Sequence, residues 1–115
     1  MTPIVLAGLW DLARRPEQIR WQPFRPGVER HWIQRSENGG VASALLRYFP
    51  GARLARHRHV GVEHILVLTG AQEDERGRYE AGTLLVSPPG SSHALLSPGG
   101  CIVLAIWEKP VVFED

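Results

Sequence analysis

An all-β fold, an antiparallel sandwich or barrel, is what this sequence predicts, on three observations. Twelve Gly and nine Pro punctuate short runs rich in β-branched and aromatic residues. No helical apolar periodicity outlasts one short segment. The runs also recur at close spacing between turn-forming residues, which in one domain implies antiparallel strands in two layers or a closed barrel.

Asp11 to Ile19 can form a turn or two of helix, but Pro16 interrupts it, lacking the N–H that a helix interior needs. From Trp21 the chain reads strand, turn, strand. The predicted strands are Val28–Gln34, Val41–Phe49, Ala52–His59, Glu63–Leu68, Ala71–Glu75, Arg78–Tyr79, Thr83–Val86, Ala94–Leu96 and Ile102–Trp107. Asn38-Gly39-Gly40 and Arg76-Gly77 are hairpin turns, where glycine accepts a positive φ. Ile65-Leu66-Val67-Leu68 and Ile102 to Trp107 are apolar on both faces. Such strands need a second cover, from the N-terminal segment or another subunit. The expectation is a homodimer in which one sheet, with residues 1–20, packs on a partner. Residues 1–20 form an N-terminal extension and 21–115 the barrel.

At 115 residues the chain is one domain. Thirteen Lys and Arg oppose twelve Asp and Glu, and the arginines are dispersed, so no nucleic-acid surface is indicated. One cysteine, Cys101, excludes an internal disulfide, suits a reducing compartment and reads as a buried small hydrophobe. The apolar run Ile4 to Leu9 is too short for a membrane span and lacks the basic residues of a signal peptide. A cytoplasmic protein without membrane partners is expected.

His57, His59, Glu63 and His93 carry the chemistry. Three imidazoles and a carboxylate suit a borderline divalent transition metal. His57 and His59, two apart, leave one face of an extended strand. Glu63 follows beyond Gly61, where the chain can turn, and His93 must arrive from a neighbouring strand. These residues are read as the ligands of one mononuclear metal inside the barrel.

Gly51 to Gly70 contains G-x5-H-x-H-x3-E-x6-G, and Gly82 to His93 contains G-x5-P-x-G-x2-H. On these two motifs, in this order, the chain resembles the cupin superfamily, whose second motif ends in Asn where Ser97 stands here. The short spacer, Ala71 to Ala81, resembles that of small bacterial cupins. Residues 21–107 resemble ChrR-type cupins, the metal-binding halves of ChrR-like anti-sigma factors, and related acetylacetone- and dihydroxyacetophenone-cleaving dioxygenases. The resemblance implies a cupin (RmlC-like) double-stranded β-helix, or jelly-roll barrel. It also implies a metal held by His57, His59, Glu63 and His93. His64 and Thr69 stand where many relatives carry Glu. ChrR-like factors grip their sigma factor through a separate helical domain, and about 20 residues precede the cupin motifs here. Sigma-factor inhibition by this chain alone is therefore not expected.

Zinc, iron, manganese, nickel and copper all accept this ligand set. The leading expectation is a metalloprotein acting on a small oxygen-bearing molecule, with dioxygenase chemistry on a diketone or hydroxyketone as one version. The rivals are a non-enzymatic sensory or regulatory module and a structural zinc site. Strand parity from His57 would turn Arg53 and Ala55 inward, although a solvated Arg53 is the simpler reading. His64 faces away from Glu63, and His31 lies on a sheet surface or edge. Glu73-Asp74-Glu75 reads as a solvated hairpin. Trp10, Trp21, Trp32 and Trp107 are assigned to core and dimer packing, while Arg47 and Tyr48 are left unplaced.

Overall fold

The computed structural model describes residues 1–114. A short helix, α1 (Leu9–Ala13), and a 3-10 turn (Pro16–Gln18) precede ten strands. Pro16 divides the two as expected and opens the turn, where a missing N–H costs nothing. The strands are β1 (Gln22–Arg25), β2 (Val28–Arg35), β3 (Ala42–Tyr48), β4 (Ala52–Arg58), β5 (Glu63–Asp74), β6 (Gly77–Glu80), β7 (Leu84–Ser87), β8 (Ser92–Ser97), β9 (Cys101–Trp107) and β10 (Val112–Phe113). Every predicted strand has its counterpart. β1 and β10 went unforeseen, because Pro23 breaks one pattern and two residues are too few to show another.

All described pairings are antiparallel, in the spatial order β1-β2-β3-β9-β5-β8-β4-β10, with β6 and β7 also paired to β5. β5 belongs to both walls of the curled sheet. Its first half pairs with β7 and β9, and its second half with β6 and β8. The sequence suggested two strands here, broken at Thr69-Gly70. The chain instead bends within one strand, at a register slip between Val67 and Thr69 followed by Gly70 at φ 70°. A Cβ on Gly70 would strike the carbonyl oxygen of Gly100 and crowd Cys101, so glycine is required for space as well as for φ.

Between the walls lie Val28, Leu46, Tyr48, Leu54, Ile65, Val67, Leu95, Val103 and Trp107. A second cluster sits outside the β3-β9-β5 wall, where Ala13 and Ile19 meet Leu45, Leu68 and Ile102. The N-terminal segment thus covers part of the two strands that lack alternation. Leu84, Val86 and Ile106 remain exposed beyond it. Among the described residues, no helix is long and apolar enough to cross a membrane.

Gly70→Ala is expected to destabilise the fold by about 2–4 kcal/mol, combining left-handed strain with overpacking. Gly51→Ala, at φ 84° but with open space around its Cβ, should cost only about 1–2 kcal/mol. Urea denaturation of both variants measures the difference, which isolates the Gly70–Gly100 contact.

Candidate metal centre

His57 on β4 is the direct register partner of His93 on β8. His59 follows β4 at once, and its backbone is tied to the Pro88–Ser91 turn. The His59 N–H donates to the Ser91 carbonyl at 2.8 Å, and the Gly90 N–H donates to the His59 carbonyl at 2.8 Å. The turn that delivers His93 therefore also sets His59. Glu63 opens β5, paired with Ser87 and Trp107. One candidate donor atom from each of His57, His59, Glu63 and His93 lies within 4.8 Å of all the others. The four residues are between 1 % and 4 % exposed, which places the cluster out of bulk water.

The protonation pattern of the rings follows from what each Nδ1 touches. His57 Nδ1 is 3.0 Å from the Ala55 carbonyl oxygen, and His59 Nδ1 is 3.1 Å from that of Ser91. His93 Nδ1 is 3.0 Å from Asp74 Oδ2. Carbonyl and carboxylate oxygens only accept, so each Nδ1 carries the proton and each neutral ring keeps its lone pair on Nε2. The Nε2 atoms of His59 and His93 are buried and without a hydrogen-bond partner. His59 Nε2 lies 3.0 Å from Glu63 Oε1, yet the directions do not make a hydrogen bond. The Nε2 sides of three rings and one carboxylate thus converge, an arrangement that a cation relieves. A metal with bonds of about 2.0–2.2 Å spans at most about 4.4 Å between donors, so a slight contraction completes such a shell. The set could hold one metal ion.

Asp74 was misjudged from the sequence. Its side chain is 1 % exposed, Oδ2 accepts from His93, and Oδ1 accepts from the Arg76 N–H at 2.8 Å and the Tyr79 hydroxyl at 2.9 Å. Burial pushes its pKa up, but the Arg76, His93 and Tyr79 hydrogen bonds outweigh this and leave it below the ordinary value. Nothing in the local pattern distinguishes it from Glu75, which is exposed and paired with Arg56. Ser91 was also missed: its hydroxyl lies 2.9 Å from His59 Nδ1 and donates to the Pro88 carbonyl at 2.6 Å.

Arg53 does not point inward. A register slip between Leu54 and His57 reverses the parity of β4, burying Ala52 and Leu54 and exposing Arg53, Ala55 and Arg56. The same slip offers the Ala55 carbonyl to His57. Tyr48 is buried in the core cluster, whereas Arg47 pairs with Glu29 on the outer side. Ser97, in place of the motif's Asn, is fully buried and ties β8 to β5 through a 2.7 Å hydrogen bond to the Ala71 carbonyl. His64 alternates away from Glu63, and His31 Nδ1 meets the Arg20 carbonyl at 2.9 Å.

Beside His57 and Glu63 lies a cavity of about 20 Å³, bordered by Tyr48, Leu95, Trp107, Val111 and Phe113. That volume takes roughly one water. Phe113 on β10 is the register partner of His57, with ring centroids 5.4 Å apart, and closes this end of the barrel.

A curled antiparallel barrel with this cluster at one end has the RmlC-like cupin fold. The chain belongs to the ChrR cupin-like family, whose model, described as "ChrR Cupin-like domain", matches residues 11–111. It is 34% identical over 107 residues to the anti-sigma-E factor ChrR of Cereibacter sphaeroides, covering 90% of this chain and 49% of that protein. The chain thus spans about half the length of the curated relative it matches. Among solved structures it is similar to the Rhodobacter sphaeroides complex of SigE with the anti-sigma ChrR. There the TM-score is 0.74 at 31% identity, covering 93% of this chain and 60% of that one. An acetylacetone dioxygenase from Acinetobacter johnsonii shares the fold, with a TM-score of 0.76 at 19% identity over 83% of this chain and 72% of that one.

Burial holds the His57 imidazole below its ordinary pKa of 6.5, against the Ala55 carbonyl, which favours protonation. The folded ring binds fewer protons than the unfolded one. Its contribution to stability is therefore present above about pH 6.5 and is lost as pH falls through the folded value. Metal-free protein should lose stability from pH 7 toward pH 5. His57→Asn should flatten that slope by up to about 1.4 kcal/mol per pH unit, measured by urea denaturation across the range.

Proposed function

We propose that the protein is a mononuclear divalent-metal cupin that handles a small oxygen-bearing molecule, with His57, His59, Glu63 and His93 as the ligands. The observation that carries this is the convergence within 4.8 Å of donor atoms from one carboxylate and three rings whose Nδ1 atoms are engaged elsewhere. Zinc, iron, manganese, nickel and copper all suit the donors, and a bound ion of this kind supplies Lewis-acid polarisation of an oxygen-bearing ligand.

The remaining groups define what such a ligand would meet. Ala55, Ser91 and Asp74 fix the rings, so little reorganisation accompanies binding. Tyr48 borders the same cavity as Glu63. Burial, then Cys101 and Glu63, push its phenol well above the usual pKa of 10, so it stays protonated and can donate to an oxygen. Entry of anything larger than water requires Val111 and Phe113 to move, and β10 is joined to β4 through only two register pairs. Cleavage of a diketone or hydroxyketone with oxygen is the version to test first, since an acetylacetone dioxygenase shares the fold.

A metal-dependent regulatory module is the second reading, favoured by the identity with ChrR over most of this chain. Oxygen uptake by iron-loaded protein with diketones or hydroxyketones supports the enzyme. Its absence, together with a protein partner in pull-down, supports the module, and inert four-coordinate zinc supports a structural site.

A homodimer is part of the proposal. Ile4, Leu6 and Ile106 line an outer groove of about 480 Å³, and Leu84, Val86 and Trp10 are exposed as well. A second copy would cover this face. A cytoplasmic setting fits the buried free thiol of Cys101, which burial pushes up to about 11.

Elemental analysis should find about one metal per chain in the wild type. His57→Ala and His93→Ala should lose most of it and His64→Ala should keep it; equal retention in all three contradicts the ligand assignment. Asp74→Asn should weaken metal binding about 10–100-fold in a competition with a chelator, because His93 loses its charged partner. Light scattering at micromolar concentration should give the mass of two chains, and a monomer would contradict the dimer.

A further inference from the structure

A pocket of about 150 Å³ opens at the mouth of the barrel, lined by Phe24, Arg30, Trp32, Trp107, Val111 and Phe113 among others. Four of these, Phe24, Trp107, Val111 and Phe113, also border the 20 Å³ cavity beside His57 and Glu63. One layer of side chains therefore separates the outer pocket from the imidazole cluster.

Two residues that line the pocket each carry a buried donor without an acceptor. Arg30 Nε and Trp107 Nε1 make no hydrogen bond, and both groups only donate. Apart from the cluster imidazoles and Gln72, these are the orphan buried side-chain atoms among the described residues, and both belong to residues lining this one pocket. A buried donor left without an acceptor is costly, so the pair marks a place where an acceptor is missing.

Charge points the same way. The Arg30 guanidinium carbon lies 4.5 Å from the Phe24 ring centre and 4.2 Å from that of Trp32. No carboxylate among the described residues pairs with it, and its sequence neighbour Glu29 is engaged by Arg47. Arg35 lies over the same Trp32 ring at 5.0 Å, so a second cationic group stands beside the pocket's aromatic wall. Burial, then the charge of Arg35, lowers the Arg30 pKa, strain that an anion would relieve. A volume of about 150 Å³ is enough for a benzene-sized ring.

We propose that this pocket binds a small planar organic carboxylate, whose oxygens supply the acceptors that Arg30 and Trp107 lack and whose flat body lies among the aromatic side chains. The site deepens the function proposed above by naming the ligand's chemistry. It rests on that reading only for the onward step past Phe113 to the metal.

Benzoate is the probe, with benzyl alcohol as its neutral counterpart, added to metal-free and zinc-loaded protein. Benzoate should bind both forms with roughly millimolar affinity by calorimetry. It should move the Trp107 indole N–H resonance and leave that of Trp21, which donates to the Pro16 carbonyl at 3.0 Å. Benzyl alcohol should bind at least about tenfold more weakly, as should benzoate to Arg30→Gln. Trp107→Phe keeps a ring and loses the N–H, and should weaken benzoate several-fold in protein shown to be folded by circular dichroism. Benzoate binding to protein that takes up no metal would still support the site, although the metal reading would then have failed. Binding confined to zinc-loaded protein and indifferent to Arg30→Gln would overturn it and leave the metal reading standing. Absence of binding up to about 10 mM would overturn it as well.

Discussion

Donor atoms of three imidazoles and one carboxylate face one another within 4.8 Å inside this barrel. Left alone, such an arrangement repels itself, and burial makes the repulsion worse by lowering the effective dielectric. It persists because each ring is held from behind. The Ala55 carbonyl, the Ser91 carbonyl and hydroxyl, and the Asp74 carboxylate occupy the three Nδ1 positions and so dictate where the lone pairs point. A cation at the centre turns this frustrated cluster into a satisfied one.

The rest of the fold serves that convergence. Direct pairing of His57 with His93 joins the two sequence motifs across one strand boundary. The slip in β4 turns His57 inward while presenting the Ala55 carbonyl to it. The bend at Gly70 lets β5 begin with Glu63 on one wall and end with Asp74 behind His93 on the other. A single strand thus contributes both a candidate ligand and the support for another. The apolar closure by Phe113 keeps water scarce beside the donors.

The fold and the four central residues were legible because both motifs carry their spacing in full and glycines mark the strand exits. What escaped notice depended on pairing rather than pattern. Asp74 sits in an acidic run that looks solvated, and only the register of β5 against β8 turns it toward His93. Simple alternation alone would turn Arg53 inward, but one slip in register leaves it exposed, in line with the simpler, solvated reading. Phe113 and Arg30 lie outside both motifs, in distant segments that come to line one pocket only once the barrel has closed.

X-ray absorption spectroscopy of protein purified with its own metal tests the central claim most directly. Three imidazole scatterers and an oxygen donor at about 2.0–2.2 Å are the predicted shell, with the imidazole count falling in His93→Ala. Sulfur in the shell, or a metal without imidazole neighbours, would contradict it.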